Sequence, residues 1–335
     1  MKKNFNRKQF MTLCGWISLG GFSFLAALKR NNSSTIFTQE DKSLKSVINS
    51  SPSYPPPPSG TKLLSQNLEV ITVNLKGEET RRKVASSKSF RITSSGKPFL
   101  EMMAIPGGEF MMGSPSEEMG NDLKEKPRHR VSVPPFYMGK YPVTQAQWYA
   151  VMGNNPSFHR DRGDSFPVTV VSWYEALEFC AKLSTLTKLN FNLPTEAQWE
   201  YACRGGTTTP FYLGETLTFE LANYNSYSTY ADELPQPARA RTTKVDNFPP
   251  NAFGLYDLHG NVSEWCLDVY HEDYQGVPTD GSAWGRGSNV QHNNYRVLRG
   301  GSYSDPPWDC RSAFRVGGGT GVQTAFIGFR VVCNV

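Results

Sequence analysis

The stretch FPPNAFGLYDLHGNVSEW, residues 248–265, is built of turn formers and aromatics rather than of any helical or alternating repeat. Its last part, GNVSEW (260–265), sets Asn261 and Glu264 near a tight turn. Hard oxygen donors of that kind suit Ca2+, while turn and helix-end hydrogen bonding is the metal-free use of the same two side chains. Six further phrases stand around it in order: IPGGEFMMGS (105–114), PVTQAQW (142–148), PVTVVSWYEALEFC (167–180), LPTEAQWEYACRGG (193–206), RVLRGGSY (296–303) and IGFRVVC (327–333).

Three segments of this frame read as helices. Residues 144–152 begin on Thr144 as N-cap. Residues 172–186 set Ala176, Phe179, Cys180 and Leu183 on one face. Residues 195–203 follow Pro194-Thr195, with Gln198 completing a capping box. Residues 68–75 and 99–105 read as strands. Beyond Arg204 the chain breaks into short strands and turns. The 29 Gly and 23 Pro with 13% aromatics point the same way, to a loop-rich fold packed with rings. Trp148, Trp173, Trp199 and Trp265 are expected in the core with satisfied indole N–H groups.

Charge divides the chain. Residues 1–98 hold sixteen Lys/Arg against five Asp/Glu, and residues 99–335 hold nineteen against twenty-five. The body is therefore acidic, which disfavours nucleic acid as a partner. Residues 1–30 place a basic start before the apolar run 11–28, the pattern of an export signal or a retained membrane anchor. Residues 31–66 are Ser/Pro-rich and read as a disordered linker, residues 67–98 as a short strand segment of uncertain attachment, and residues 99–335 as the domain. An exported body with five cysteines suggests two disulfides and one free thiol.

The seven phrases, in this order, resemble the sulfatase-modifying-factor family, whose founding member is the formylglycine-generating enzyme. The resemblance spans about 230 residues. It implies an α+β fold, a variant of the C-type-lectin fold with low regular secondary structure. It also implies structural Ca2+ held by Asn261, Glu264 and nearby carbonyls, with a second calcium region at Asn223, and a disulfide between Cys180 and Cys333.

The family's chemistry turns a peptide cysteine into formylglycine with O2 and Cu(I). The metal is held by two cysteines five residues apart after a GGS turn, and soft thiolates select that metal. The turn here is Gly300-Gly301-Ser302, the second cysteine falls on Cys310, and the first falls on Asp305. A further family cysteine, a disulfide partner, is replaced by Arg315. Cys203, Cys266 and Cys310 are left with pairing open. Ser302 has no evident His base, the five histidines show no metal-ligand spacing, and no CxxC pair or phosphate-binding glycine loop occurs.

Residues 303–326, with the small, flexible run FRVGGGTGVQTAF, resemble the ligand-facing loop of lectin-fold variable proteins. Tyr303, Asp305, Trp308, Phe314 and Phe326 are expected to line a shallow surface for a peptide, protein or small-molecule ligand. Two readings follow. One is an exported binding module without a two-cysteine copper site. The other is an oxidase working through Cys310, with Ser302 beside it, and an altered metal site. The sequence fixes neither the ligand nor the oligomeric state.

Overall fold

The frame phrases fold first into capped helices. In the computed structural model, which describes residues 53–94, 97–285 and 294–334, α1 is Gln145–Met152, α2 Trp173–Thr187 and α3 Glu196–Arg204. Each starts in a complete capping box: Thr144 with Gln147, Ser172 with Glu175, Thr195 with Gln198. Each box satisfies two backbone donors that a bare helix end would leave open.

Twelve strands occur among the described residues. Their ranges are β1 Leu64–Val73, β2 Glu79–Ser94, β3 Lys97–Ile105, β4 Gly108–Met112, β5 His129–Val133, β6 Phe136–Gly139, β7 Asn190–Asn192, β8 Ser263–Val269, β9 Tyr295–Arg299, β10 Arg315–Gly319, β11 Ile327–Gly328 and β12 Val332–Asn334. A six-stranded sheet runs β1-β2-β3-β6-β12-β7, a four-stranded one β10-β9-β8-β11, and β4 pairs with β5.

Period-two alternation buries both faces of β3 in the larger sheet. From β3, Met103 and Ile105 enter one core cluster with Trp199 and Leu258, while Met102 and Ala104 enter the other with Trp148 and Phe179. All four core tryptophans are buried, and each indole donates, to Asn154 Oδ1, Cys266 O, Glu264 Oε2 and Val171 O respectively.

Four expectations change. Residues 53–66, read as linker, hold onto the body: Gly107 N–H donates to Ser53 O, the Tyr137 hydroxyl to Pro55 O, and β1 already starts at Leu64. The segment 67–98 is attached through β1 and β2, which pair antiparallel and continue the β3 sheet. The run after Phe314 is not a flexible loop throughout, since Arg315–Gly319 is β10, paired to β9, with Gly318 against Trp265 and Leu298. No disulfide joins Cys180 to Cys333 or any other described pair. All five body cysteines are buried free thiols, Cys180 and Cys333 among the apolar side chains of one cluster, where cysteine packs as a small hydrophobe.

The leader (1–30), its Cys14 and linker residues 31–52 lie outside the described residues. Among the described residues no helix is long and apolar enough to cross a membrane.

Candidate functional site

Strand register builds the centre of the body. Arg299 of β9 pairs with Glu264 of β8 on one side and with Arg315 of β10 on the other. Against them lies α3, wholly buried, whose Glu196, Glu200 and Arg204 stand four residues apart in one stripe. Arg315 Nε and Nη2 meet Glu196 at 2.7 and 3.0 Å, and Nη1 donates to the carbonyls of Lys124 and His271. Arg299 joins Glu200, which also takes Arg204 Nε at 2.9 Å. Arg330 grips Glu264 through Nε and Nη2 at 2.7 and 2.8 Å. Arg311 spans Glu118 and Glu125 at 2.6 Å each. Ionised groups this deep are tolerated because each is paired and further hydrogen-bonded. Arg315, at the position implied for a cysteine, serves as an ionic clasp there.

The Gly300-Gly301 turn sits above this network, both residues in the left-handed region (φ 88° and 66°). A Cβ on Gly301 would come within 2.7 Å of Cys310 Sγ and 2.6 Å of Asp309 O. Cys310 is therefore fully buried against the turn. Burial, then Asp305 and Asp309, raise its thiol well above the ordinary value, the reverse of what a reactive thiolate needs. Asp305 Oδ2 accepts both the backbone N–H (2.8 Å) and the hydroxyl (2.7 Å) of Ser302, so the carboxylate closes the turn. Ser302 is spent in that contact and in receiving Ser304 N–H.

Behind Cys310 lies His259, which the sequence reading passed over. Tyr212 N–H donates to its Nε2 (3.0 Å), so Nδ1 carries the proton and donates to Cys310 O (2.7 Å). Burial holds this imidazole down to about 3, hence neutral. Cys203 Sγ contacts His259 Nε2 at 3.9 Å and Ser312 Oγ at 3.6 Å.

Neither implied metal fits. For Cu(I), position 305 offers a hard carboxylate engaged with Ser302, and position 310 a buried thiol. For Ca2+, both Glu264 oxygens are taken by Arg330, with Trp199 sharing one. Asn261 Oδ1 accepts from Asn223 Nδ2 and from Thr243 N–H. Asn223 Oδ1 is buried without a partner, but one amide oxygen is far from the six to eight donors of a calcium shell. Among the described residues no three His, Cys, Asp or Glu side chains gather as a metal group.

The expected ligand surface divides. Tyr303 and Phe326 meet at 5.3 Å between ring centroids, joined by His159 at 6.4 Å from Tyr303 and then Phe158. Phe314 instead lies under Lys124 Nζ, and Trp308, half-exposed, has its Cβ beside Gly120. Asp305 is committed to its turn. A separate cleft of about 520 Å3 opens between Phe99, Tyr141, Gln147, Asp164 and Asp246, away from Cys310.

Comparison with known proteins decides the family. The sulfatase-modifying factor enzyme 1-like domain matches residues 90–335. The chain belongs to that family. Bovine (Bos taurus) formylglycine-generating enzyme is 29% identical over 266 residues, 62% of this chain and 66% of that enzyme. The serine/threonine-protein kinase pkn1 of Chlamydia pneumoniae is 30% identical over 262 residues, 70% of this chain, and the chain spans only 38% of that kinase. Among solved structures, PvdO from Pseudomonas aeruginosa superposes with a TM-score of 0.60 at 31% identity, over 70% of this chain and 94% of PvdO. Treponema denticola variable protein 1 does so with 0.58 at 28%, over 74% and 98%. The family match begins at residue 90, so β1 and most of β2 lie outside the matched residues.

Proposed function

We propose that this sulfatase-modifying-factor member is an exported ligand-recognition module, on the C-type-lectin-like variant of the family scaffold, and not a copper oxidase. One observation carries the reading: Asp305, where the resemblance places a copper thiolate, is a turn-closing carboxylate bonded twice to Ser302, beside a Cys310 thiol with no exposure. A Treponema variable protein, 28% identical, shares the scaffold, and a shared scaffold assigns no role. Export rests on the basic and apolar leader and its Ser/Pro-rich continuation.

The test is to incubate the protein with O2, copper and a Cys-x-Pro-x-Arg peptide and to assay aldehyde. The reading expects no more aldehyde from the wild type than from Cys310→Ser. Aldehyde that forms with the wild type and vanishes with Cys310→Ser would overturn it.

A further inference from the structure

A run of rings reaches the surface over the buried Tyr303: Phe158 to His159 at 4.9 Å, His159 to Tyr303 at 6.4 Å, Tyr303 to Phe326 at 5.3 Å. Phe158 is 62% exposed, so the run ends in an apolar side chain held out into solvent. The loop that presents it is tied down. Phe158 N–H donates to Thr169 Oγ1, Ser157 N–H to Asn155 Oδ1, Asn155 Nδ2 to Gln145 Oε1, and Gln145 Nε2 to His159 O. Phe326 is fixed from the other side, its carbonyl receiving Ser263 N–H at 2.8 Å. A rigid ring platform loses little entropy when a partner docks.

Cationic groups stand at this platform although the body is acidic. Arg162 follows His159 by three residues and donates its N–H to His159 O. The carbonyl of Arg241 accepts Asn223 Nδ2, Asn223 bonds Asn261, and Asn261 O receives Tyr303 N–H, which brings Arg241 to the same rim. Burial, then Arg162 and Arg241, hold the His159 imidazole below its ordinary value, with Asp161 opposing them. Arg162 and Arg241 are exposed, and neither takes part in an ion pair among the described residues. Exposed arginines without an ion-pair partner, beside fixed aromatics on an otherwise acidic domain, are complementary to an anion that carries a ring. Small ligands are held in concave sites, and none of these rings lines the cleft of about 520 Å3. Two arginines do not make the long cationic track that a nucleic-acid strand needs.

We infer that Phe158, His159 and Phe326, backed by the buried Tyr303 ring and flanked by Arg162 and Arg241, bind an acidic polypeptide segment that bears an aromatic side chain. This deepens the recognition reading above and rests on it. The ring of the ligand packs on the platform, and its carboxylates reach the two arginines.

The experiment is fluorescence anisotropy of the full chain with labelled (Glu-Glu-Tyr-Asp)3, its Lys-for-acid counterpart, its Ala-for-Tyr counterpart, and a twelve-nucleotide single strand. The acidic tyrosine peptide is expected to bind best and to weaken as salt is raised. Phe158→Ala and the pair Arg162→Ala/Arg241→Ala, all at exposed positions and checked for unchanged melting temperature, should each weaken it about tenfold, roughly 1.4 kcal/mol. Equal or better binding of the Lys peptide, indifference to the arginine pair, tighter binding of the oligonucleotide, or no binding at all would overturn the inference. None of these outcomes generates aldehyde, so the recognition reading fails separately, in the oxidase assay.

Discussion

Replacing Arg315 with Met breaks the Glu196 clasp without emptying the site of volume. Arg315 now makes four hydrogen bonds, two to Glu196 and two to carbonyls, and packs over the Tyr274 ring at 4.4 Å. Its removal leaves the buried Glu196 carboxylate with the Tyr274 hydroxyl at 2.9 Å and Arg299 at 3.8 Å. Stranding one partner of a buried pair costs about 3–5 kcal/mol, a large share of the roughly 5–15 kcal/mol that holds a domain folded. With a urea slope of about 2–3 kcal/mol per molar, the midpoint should fall by about 1–2.5 M. Burial pushes the Glu196 carboxyl up, but Arg315 and Arg299 outweigh it and hold the group below its ordinary value. A depressed carboxylate contributes stability above its unfolded pKa of about 4.3, and that stability is lost as pH falls. The Arg315→Met deficit should therefore be full at pH 7 and much smaller at pH 3.5. A fall in midpoint under about 0.3 M, or an equal fall at both pH values, would refute the argument that position 315 exchanged a cysteine for an ionic clasp.

Three further outcomes are expected. In a Cys14→Ser background the folded protein should leave Ellman's reagent unreacted, and urea without reductant should release all five body thiols; fewer than five would mean that a bridge forms. Gly301→Ala should destabilise by about 2–4 kcal/mol, because its Cβ enters contact with Cys310 Sγ and Asp309 O at a positive φ, while Gly321→Ala, with open space around it, should be near neutral in thermal unfolding. His259, held to about 3 by burial against about 6.5 unfolded, contributes stability that is lost as pH falls through that window. His259→Asn should thus show a flatter dependence of melting temperature on pH between 7 and 4, and parallel curves for the two proteins would contradict the assignment.

The helices could be read from the chain because their caps are local: Thr144, Ser172 and Thr195 each find a partner three residues on. The tryptophans likewise behave as their size requires. The β1–β2 hairpin was harder, since ETRRKVASSKSFRITS has no clean alternation and much of it faces water, so only its partner strand at 68–75 stood out. The buried arginines escaped for a physical reason. Arg299, Arg311, Arg315 and Arg330 are charged side chains whose burial depends on partners far away in sequence, such as Glu118 and Arg311, 193 residues apart. The one available hint was the spacing of Glu196, Glu200 and Arg204 along an otherwise apolar helix.

The candidate surface was half legible. Tyr303 and Phe326 lie close because one follows β9 and the other precedes β11, strands that flank β8 in one sheet. Phe314 and Trp308 turn toward residues 120–124, and Phe158 and His159 arrive from a loop with no signal of its own. The cysteine arithmetic failed because it assumed that oxidation would pair whatever export leaves available, whereas each thiol is enclosed by the core.

Cu(I) competition with bicinchoninate, under anaerobic conditions, tests the central claim most directly. The account expects the wild type to withdraw no more metal from the chelator than Cys310→Ser does. One equivalent of Cu(I) taken up by the wild type and lost in Cys310→Ser would contradict it.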